Sequence, residues 1–139
     1  MVRGEWSKYT EWVKLIPEYI SSDKLWEFEV YRKALFLHDL AWRDCDRLYK
    51  DKKGRNHASQ LLRSAGSVSA NIEEGYGRGF GKDYARFLRI AVGSAREVRG
   101  WYYRISSLFD ESTINHRIGL LTEIIRGLTL AAQTQRNQK

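Results

Sequence analysis

Apolar residues recur at alternating steps of three and four along four stretches of the chain, the spacing that lays one stripe down one face of an α-helix. The first stretch offers Trp26, Val30, Ala34, Leu37, Ala41, Cys45 and Leu48; the second, shorter, offers Leu61, Ala65, Val68 and Ile72. The third runs Tyr84, Phe87, Ala91, Ala95, Val98, Tyr102, Ile105 and Phe109, and the fourth Ile114, Ile118, Leu121, Ile125, Leu128 and Ala132. No segment alternates with a period of two, so strands are not expected. The connections read "DKKGRN", the glycine stretch "GYGRGFG" and "FDESTIN", short and polar, with Gly, Asn, Asp and Ser for caps and turns. Short links make neighbours antiparallel, and the expected fold is all-α, an antiparallel up-down four-helix bundle.

Ahead of the bundle, Trp6, Tyr9, Val13 and Ile16 line one face of a short extra N-terminal helix that must end near Pro17, because proline disfavours helical geometry in the residue before it. The expected division is an N-terminal helical extension over 1–22 and the bundle over 23–139. Arg3, Lys8 and Lys14 are balanced by Glu5, Glu11 and Glu18. A membrane-surface helix carries a cationic polar face, so docking on the chain's own bundle or on a neighbouring subunit is expected instead. The first bundle helix also carries a second apolar row, Phe28, Leu35, Trp42 and Tyr49, spaced by seven. That row reads either as a broad core contact beneath the N-terminal helix or as an interface between protomers, which its aromatic content suits.

A chain of 139 residues with 42% hydrophobic and 29% charged residues suits one globular domain with a real core. The lone Cys45 excludes an internal disulfide, the N-terminus lacks an apolar core of signal-peptide length, and no stretch suffices for a membrane span. A cytoplasmic protein with no membrane partner is expected. The net charge of +7 is concentrated: residues 76–104 hold 7 Lys/Arg against 2 Asp/Glu, an excess of five, whereas the flanking segments are nearly neutral. On a helical wheel Arg86, Arg89, Gly93, Arg96, Glu97, Gly100 and Arg104 share an arc of roughly 100°. Two glycines on that face suggest close approach of another backbone, either a helix or a phosphodiester chain. A surplus so placed fits an anionic partner, RNA or DNA first, and the candidate contacts are Arg78, Lys82, Arg86, Arg89, Arg96 and Arg99. The alternative is a protein-interaction scaffold whose arginines serve subunit or partner contacts.

The four glycines at alternate positions, Gly75, Gly77, Gly79 and Gly81, match neither a dinucleotide fingerprint nor a P-loop: spacing fails for both, no strand precedes, and Gly81-Lys82 is followed by Asp83. They read first as a turn, with Gly75 or Gly77 left-handed to close the second helix. A flexible phosphate contact, with Tyr76 and Phe80 as stacking rings, is the second reading. The second helix carries a polar row, Gln60, Arg63, Ser67, Asn71 and Glu74, which either pairs with Ser94 and Glu97 as a buried layer or faces solvent. None of His38, His57 or His116 has a glutamate three residues before it, no GxSxG or HExxH occurs, and Cys45 sits at a core position. Only Glu73, Glu74 and Glu97 suggest carboxylate metal ligands, and nothing groups them. No enzyme activity, catalytic residue, metal or cofactor is expected.

The run "QLLRSAGSVSANIEEGYGRGFGKDYARFLRIAVGSAREV" resembles the four-helix proteins encoded within intervening sequences of 23S ribosomal RNA genes, the S23 family. The matching positions are Gln60, Arg63, Ser67, Val68, Asn71, Ile72, Glu74, Gly75 and Arg78, then Phe87, Leu88, Ala91, Gly93, Ser94 and Glu97. "FEVYRKALFL" is similar to the family's opening helix, so the likeness spans about residues 25 to 135. Ser69 stands where the family often has proline, and "DKKGRN" where it commonly has a proline-acidic turn. The resemblance implies a four-helix bundle assembled as a ring-shaped homopentamer without established enzymatic activity. It extends to the accessory variability proteins of diversity-generating retroelements, which implies nucleic-acid binding and a possible reverse transcriptase partner. In such a ring Phe28, Leu35, Trp42 and Tyr49 would supply one subunit contact.

Overall fold

The computed structural model describes residues 6–138. Among them every regular element is helical and none is a strand. Two short helices, α1 (Tyr9–Trp12) and α2 (Glu18–Ser21), precede four long ones, α3 (Glu29–Leu48), α4 (Lys52–Gly77), α5 (Lys82–Arg104) and α6 (Glu111–Arg136). Single 3-10 turns lie over Val13–Leu15, Lys24–Glu27 and Ser106–Leu108. The long helices pack in a closed cycle, α3 on α4, α4 on α5, α5 on α6 and α6 on α3.

The four apolar stripes supply the core. Ala34, Leu37, Ala41 and Leu48 meet Leu61, Ala65, Val68 and Ile72, with Ala91, Ala95, Val98 and Tyr102 and then Leu121 and Leu128, all fully buried. Cys45 packs among them. Its thiol is pushed up to about 11 by burial, reinforced by the neighbouring charges of Asp44 and Asp46, which suits an inert packing group.

The connections are shorter than the polar composition suggests. Most of "DKKGRN" is the first turn of α4: Asp51 stands extended at its N-cap and accepts the N–H groups of Lys53 and Gly54 at 2.8 and 3.0 Å. Likewise α6 begins at Glu111, inside "FDESTIN". Gly75 and Gly77 are helical, which corrects the left-handed closure expected of them; Gly79 and Gly81 carry the positive φ, +98° and +91°. Helix α4 runs unbroken through Ser69, whose hydroxyl donates to the Gly66 carbonyl.

The N-terminal segment docks on its own chain, against one face of α3. Phe36 is the anvil: the rings of Trp12, Tyr9 and Trp6 surround it at centroid distances of 5.2, 5.3 and 5.6 Å. The Trp12 indole, 1% exposed, donates to Asp39 at 2.8 Å. Arg43 lies 3.2 Å above the Trp6 ring and donates to the Trp6 carbonyl at 2.6 Å. The helical stretch closes with its 3-10 turn at Leu15, ahead of Pro17. Trp12, which the expected stripe leaves out, is the most buried residue of the described segment; it follows Tyr9 by three residues on the same helix face, and the two rings stack at 5.8 Å. Arg3 and Glu5, counted in the charge balance, lie outside the described residues.

On α3 the face under the N-terminal segment carries Phe36, Asp39 and Arg43. By helical geometry the row Phe28, Leu35, Trp42 and Tyr49 is a neighbouring face. Phe28 and Leu35 are half-buried against the core, whereas Trp42 and Tyr49 remain 47% and 53% exposed.

One buried polar cluster ties three helices. Asp44 of α3 receives Arg117 of α6 through two bonds, Nε to Oδ2 at 2.8 Å and Nη2 to Oδ1 at 3.0 Å, and the Tyr102 hydroxyl of α5 donates to Oδ2 at 2.6 Å. Burial, reinforced by the Asp44 charge, holds the Tyr102 hydroxyl well above its ordinary range, so it stays a donor. The two charged side chains are only 8% and 12% exposed. Removing one partner strands the other, which costs about 3–5 kcal/mol, while deleting a single hydrogen bond to a charged group costs about 1.5–3 kcal/mol. Denaturant unfolding of Asp44→Ala is therefore expected to lose about 3–5 kcal/mol and Tyr102→Phe about half as much. A loss under 1 kcal/mol for Asp44→Ala would show that the cluster is not held in solution.

Candidate nucleic-acid interface

Helix α5 is flanked by α4 and α6, which fixes the direction of its remaining surface. Tyr84, Leu88, Ala91, Ala95, Val98 and Tyr102 point inward and are buried. Lys82, Arg86, Arg89, Gly93 and Arg96 are exposed, and Arg99 is half-buried at the edge. The outward face runs the length of the helix, about 33 Å at 1.5 Å per residue.

The candidate cations divide by their partners. Arg78 bridges Glu74 at 3.1 Å and Asp83 at 3.5 Å and lies 5.1 Å from the Phe87 ring centroid. Arg86 reaches the same Asp83 at 3.4 Å and covers Phe87 at 4.5 Å. One carboxylate thus serves two guanidiniums. Lys82, Arg89, Arg96 and Arg99 enter no ion pair among the described residues. Three members of the row gather with a residue that sequence reasoning missed: Lys82, Arg86, Arg89 and Arg136 surround a depression of about 520 Å³ with Ala85 and Ile90 in its lining. Arg136 arrives from the last turn of α6, held there where the Gly81 N–H donates to Gln135 Oε1 at 2.9 Å. Its linear distance from the row hid it, and no sequence signal couples the two.

The polar row of α4 forms a half-buried seam against α5. Ser67 and Ser94 hydroxyls meet at 2.8 Å, and the Asn71 amide donates to the Ser67 carbonyl at 2.8 Å and hydroxyl at 3.0 Å. Nearer solvent, Arg63 donates to Gln60 at 2.6 Å and lies 3.7 Å from Glu97, which also accepts from the Trp101 indole at 3.2 Å. The carboxylates considered as metal ligands serve separate partners: Glu73 accepts from the Tyr31 hydroxyl at 2.7 Å, Glu74 pairs with Arg78, and Glu97 joins this seam. No group of three His, Cys, Asp or Glu among the described residues is placed to hold a metal ion. No helix among them is long and apolar enough to cross a membrane.

The glycines of this region do different work. A Cβ on Gly75 would stand 2.7 Å from the Phe87 Cβ and 2.8 Å from the Tyr84 ring, so this glycine sets the approach of α4 and α5. A Cβ on Gly93 would meet nothing within 4 Å, and one on Gly100 only the side chain of Arg104. Among the described residues no other backbone presses on either of those two. Gly75→Ala is accordingly expected to destabilise by about 1–3 kcal/mol. Gly93→Ala is expected to stabilise by up to about 1 kcal/mol, since alanine favours the helix and finds open space. Thermal or denaturant unfolding of both variants checks the contrast, and equal effects would contradict the packing described.

These features define a small all-helical protein with a cation-rich helix on its outside. Residues 26–129 match the family model described as 23S rRNA-intervening sequence protein, and the chain belongs to that family. Its fold is similar to the crystal structure of a protein of unknown function from the S23 ribosomal protein family of Bacteroides thetaiotaomicron. That likeness has a TM-score of 0.69 at 24% identity and covers 75% of this chain and 98% of that one. No curated protein matches the chain. The family match begins at Trp26, beyond most of the docked N-terminal segment.

Proposed function

We propose that the four long helices act as an antiparallel up-down bundle whose non-enzymatic role is to bind RNA or DNA through the outward face of α5, with the protein assembled as a homopentameric ring. The observation that carries the binding reading is the set of exposed cations Lys82, Arg89 and Arg96, joined by Arg136, without a carboxylate partner among the described residues. Backbone phosphates supply the counter-charge at such a face and release counterions as they do. The ring reading draws on the family resemblance and on Trp42 and Tyr49, large rings left exposed beside the N-terminal docking face. Five copies of a +7 chain would carry +35, and weak contacts repeated around a ring add through effective concentration.

Replacing Lys82, Arg89 and Arg136 together with glutamine should weaken binding similarly across nucleic-acid sequences and flatten its dependence on salt between roughly 50 and 200 mM. An unchanged salt slope would remove these residues from the interface. Sedimentation of Trp42→Glu/Tyr49→Glu is expected to show loss of the ring mass with the helical circular dichroism retained. A ring mass unaffected by both charges would place the subunit contact elsewhere.

A further inference from the structure

We infer that the α5 face takes single-stranded nucleic acid in preference to duplex, with the rings of Phe80 and Tyr103 stacking on unpaired bases at the two ends of the cation row. The inference rests on the nucleic-acid reading above and adds the form of the polymer. Phe80 is 66% exposed and Tyr103 78% exposed, and neither ring meets an aromatic or cationic partner among the described residues. Their neighbours differ. Phe87 is covered by Arg86 at 4.5 Å, Trp101 by Arg104 at 4.8 Å, and Tyr76 stands edge-on to Tyr84 at 6.1 Å. The chain's own guanidiniums and a neighbouring tyrosine thus engage the other rings beside the strip and leave these two bare.

Their positions bracket the cations. Phe80 sits in the turn between Gly79 and Gly81, two residues ahead of Lys82, the first member of the row and one of the cations lining the depression. On the helical wheel Tyr103 falls on the outward face beside Arg96, about 32 Å from Lys82 along the axis. A duplex offers phosphates to such a strip but keeps its base faces stacked inside. A single strand offers both, and each base stacked on an aromatic ring adds affinity whatever its identity. The other large exposed rings, Tyr19, Trp42 and Tyr49, belong to the N-terminal segment and α3, away from this row.

The test measures binding of the whole protein to a labelled thymidylate strand of roughly 20 nucleotides and to a duplex of the same length, at salt of roughly 50 mM. The parent protein is expected to bind the strand more tightly. Phe80→Ala and Tyr103→Ala should each weaken strand binding at least about fivefold and leave duplex binding within about twofold, whereas Phe80→Tyr and Tyr103→Phe should retain it. Neither ring belongs to the core or packs against it, so both alanine variants are expected to fold, which circular dichroism checks. Binding of both polymers that ignores the alanine variants overturns this inference and leaves the broader reading standing. Failure of the parent to bind either polymer overturns both.

Discussion

The close contact between α4 and α5 organises the rest of the molecule. Gly75 lets the backbone of α4 come against Phe87 and Tyr84, nearer than any side chain would permit. Above that contact the two helices are joined by the Ser67–Ser94 and Asn71 hydrogen bonds, and below it the chain reverses through Gly79 and Gly81. With α4 fixed on one flank and α6 on the other, α5 has a single free face. Its charged residues have nowhere else to go. The cation row is therefore a consequence of packing as much as of composition: the six cations of α5, with two carboxylates, must crowd onto the surface that packing leaves.

Helix α3 solves a different problem, having apolar residues on three faces. The inward face joins the core, and the Asp44–Arg117–Tyr102 cluster holds it in register with α5 and α6, since a buried carboxylate with three donors tolerates little sliding. The second face is covered by the N-terminal segment through Phe36, Asp39 and Arg43. That docking lies on α3, whereas the basic strip lies on α5, and the cycle of helix contacts separates the two. The described part of the N-terminal segment, from Trp6 on, therefore neither masks nor extends the strip. The third face retains Trp42 and Tyr49 uncovered, the large aromatic surface that α3 keeps in water.

Much of this was legible in the sequence because burial and periodicity are the same constraint: Leu61, Ala65, Val68 and Ile72 recur at helical spacing since one side of α4 must be dry. Caps were less legible. Asp51 converts a polar, glycine-containing stretch into a first helical turn, and composition alone favours a loop there. Trp12 was missed because a stripe through Tyr9 can step by four to Val13 as readily as by three to Trp12, and spacing does not choose between them. Asp39 and Asp44 were missed because a charged residue reads as solvated until a partner is placed beside it, and Arg117 lies 73 residues from Asp44. On the candidate interface the α5 row could be drawn on a wheel. Arg136 could not, nor could the sharing of Asp83 between Arg78 and Arg86, because both depend on where other elements end.

Charge along the strip is accordingly uneven. Near Asp83 the guanidiniums of Arg78 and Arg86 are partly neutralised, so their attraction for a further anion is reduced. Arg136 compensates from α6. At the last turn of its own helix it sits at the negative end of that helix's dipole, a favourable place for a cation, while Lys82 occupies the first turn of α5, where the dipole is positive and a cation is disfavoured by a few tenths of a kcal/mol. The Gly81–Gln135 hydrogen bond brings these two ends together. Lys82 thus stands where its own helix repels it and a phosphate would relieve it, next to an arginine that its helix retains. On the nucleic-acid reading proposed above, this end of the strip, rather than its middle, would be the stronger anchor for a polyanion.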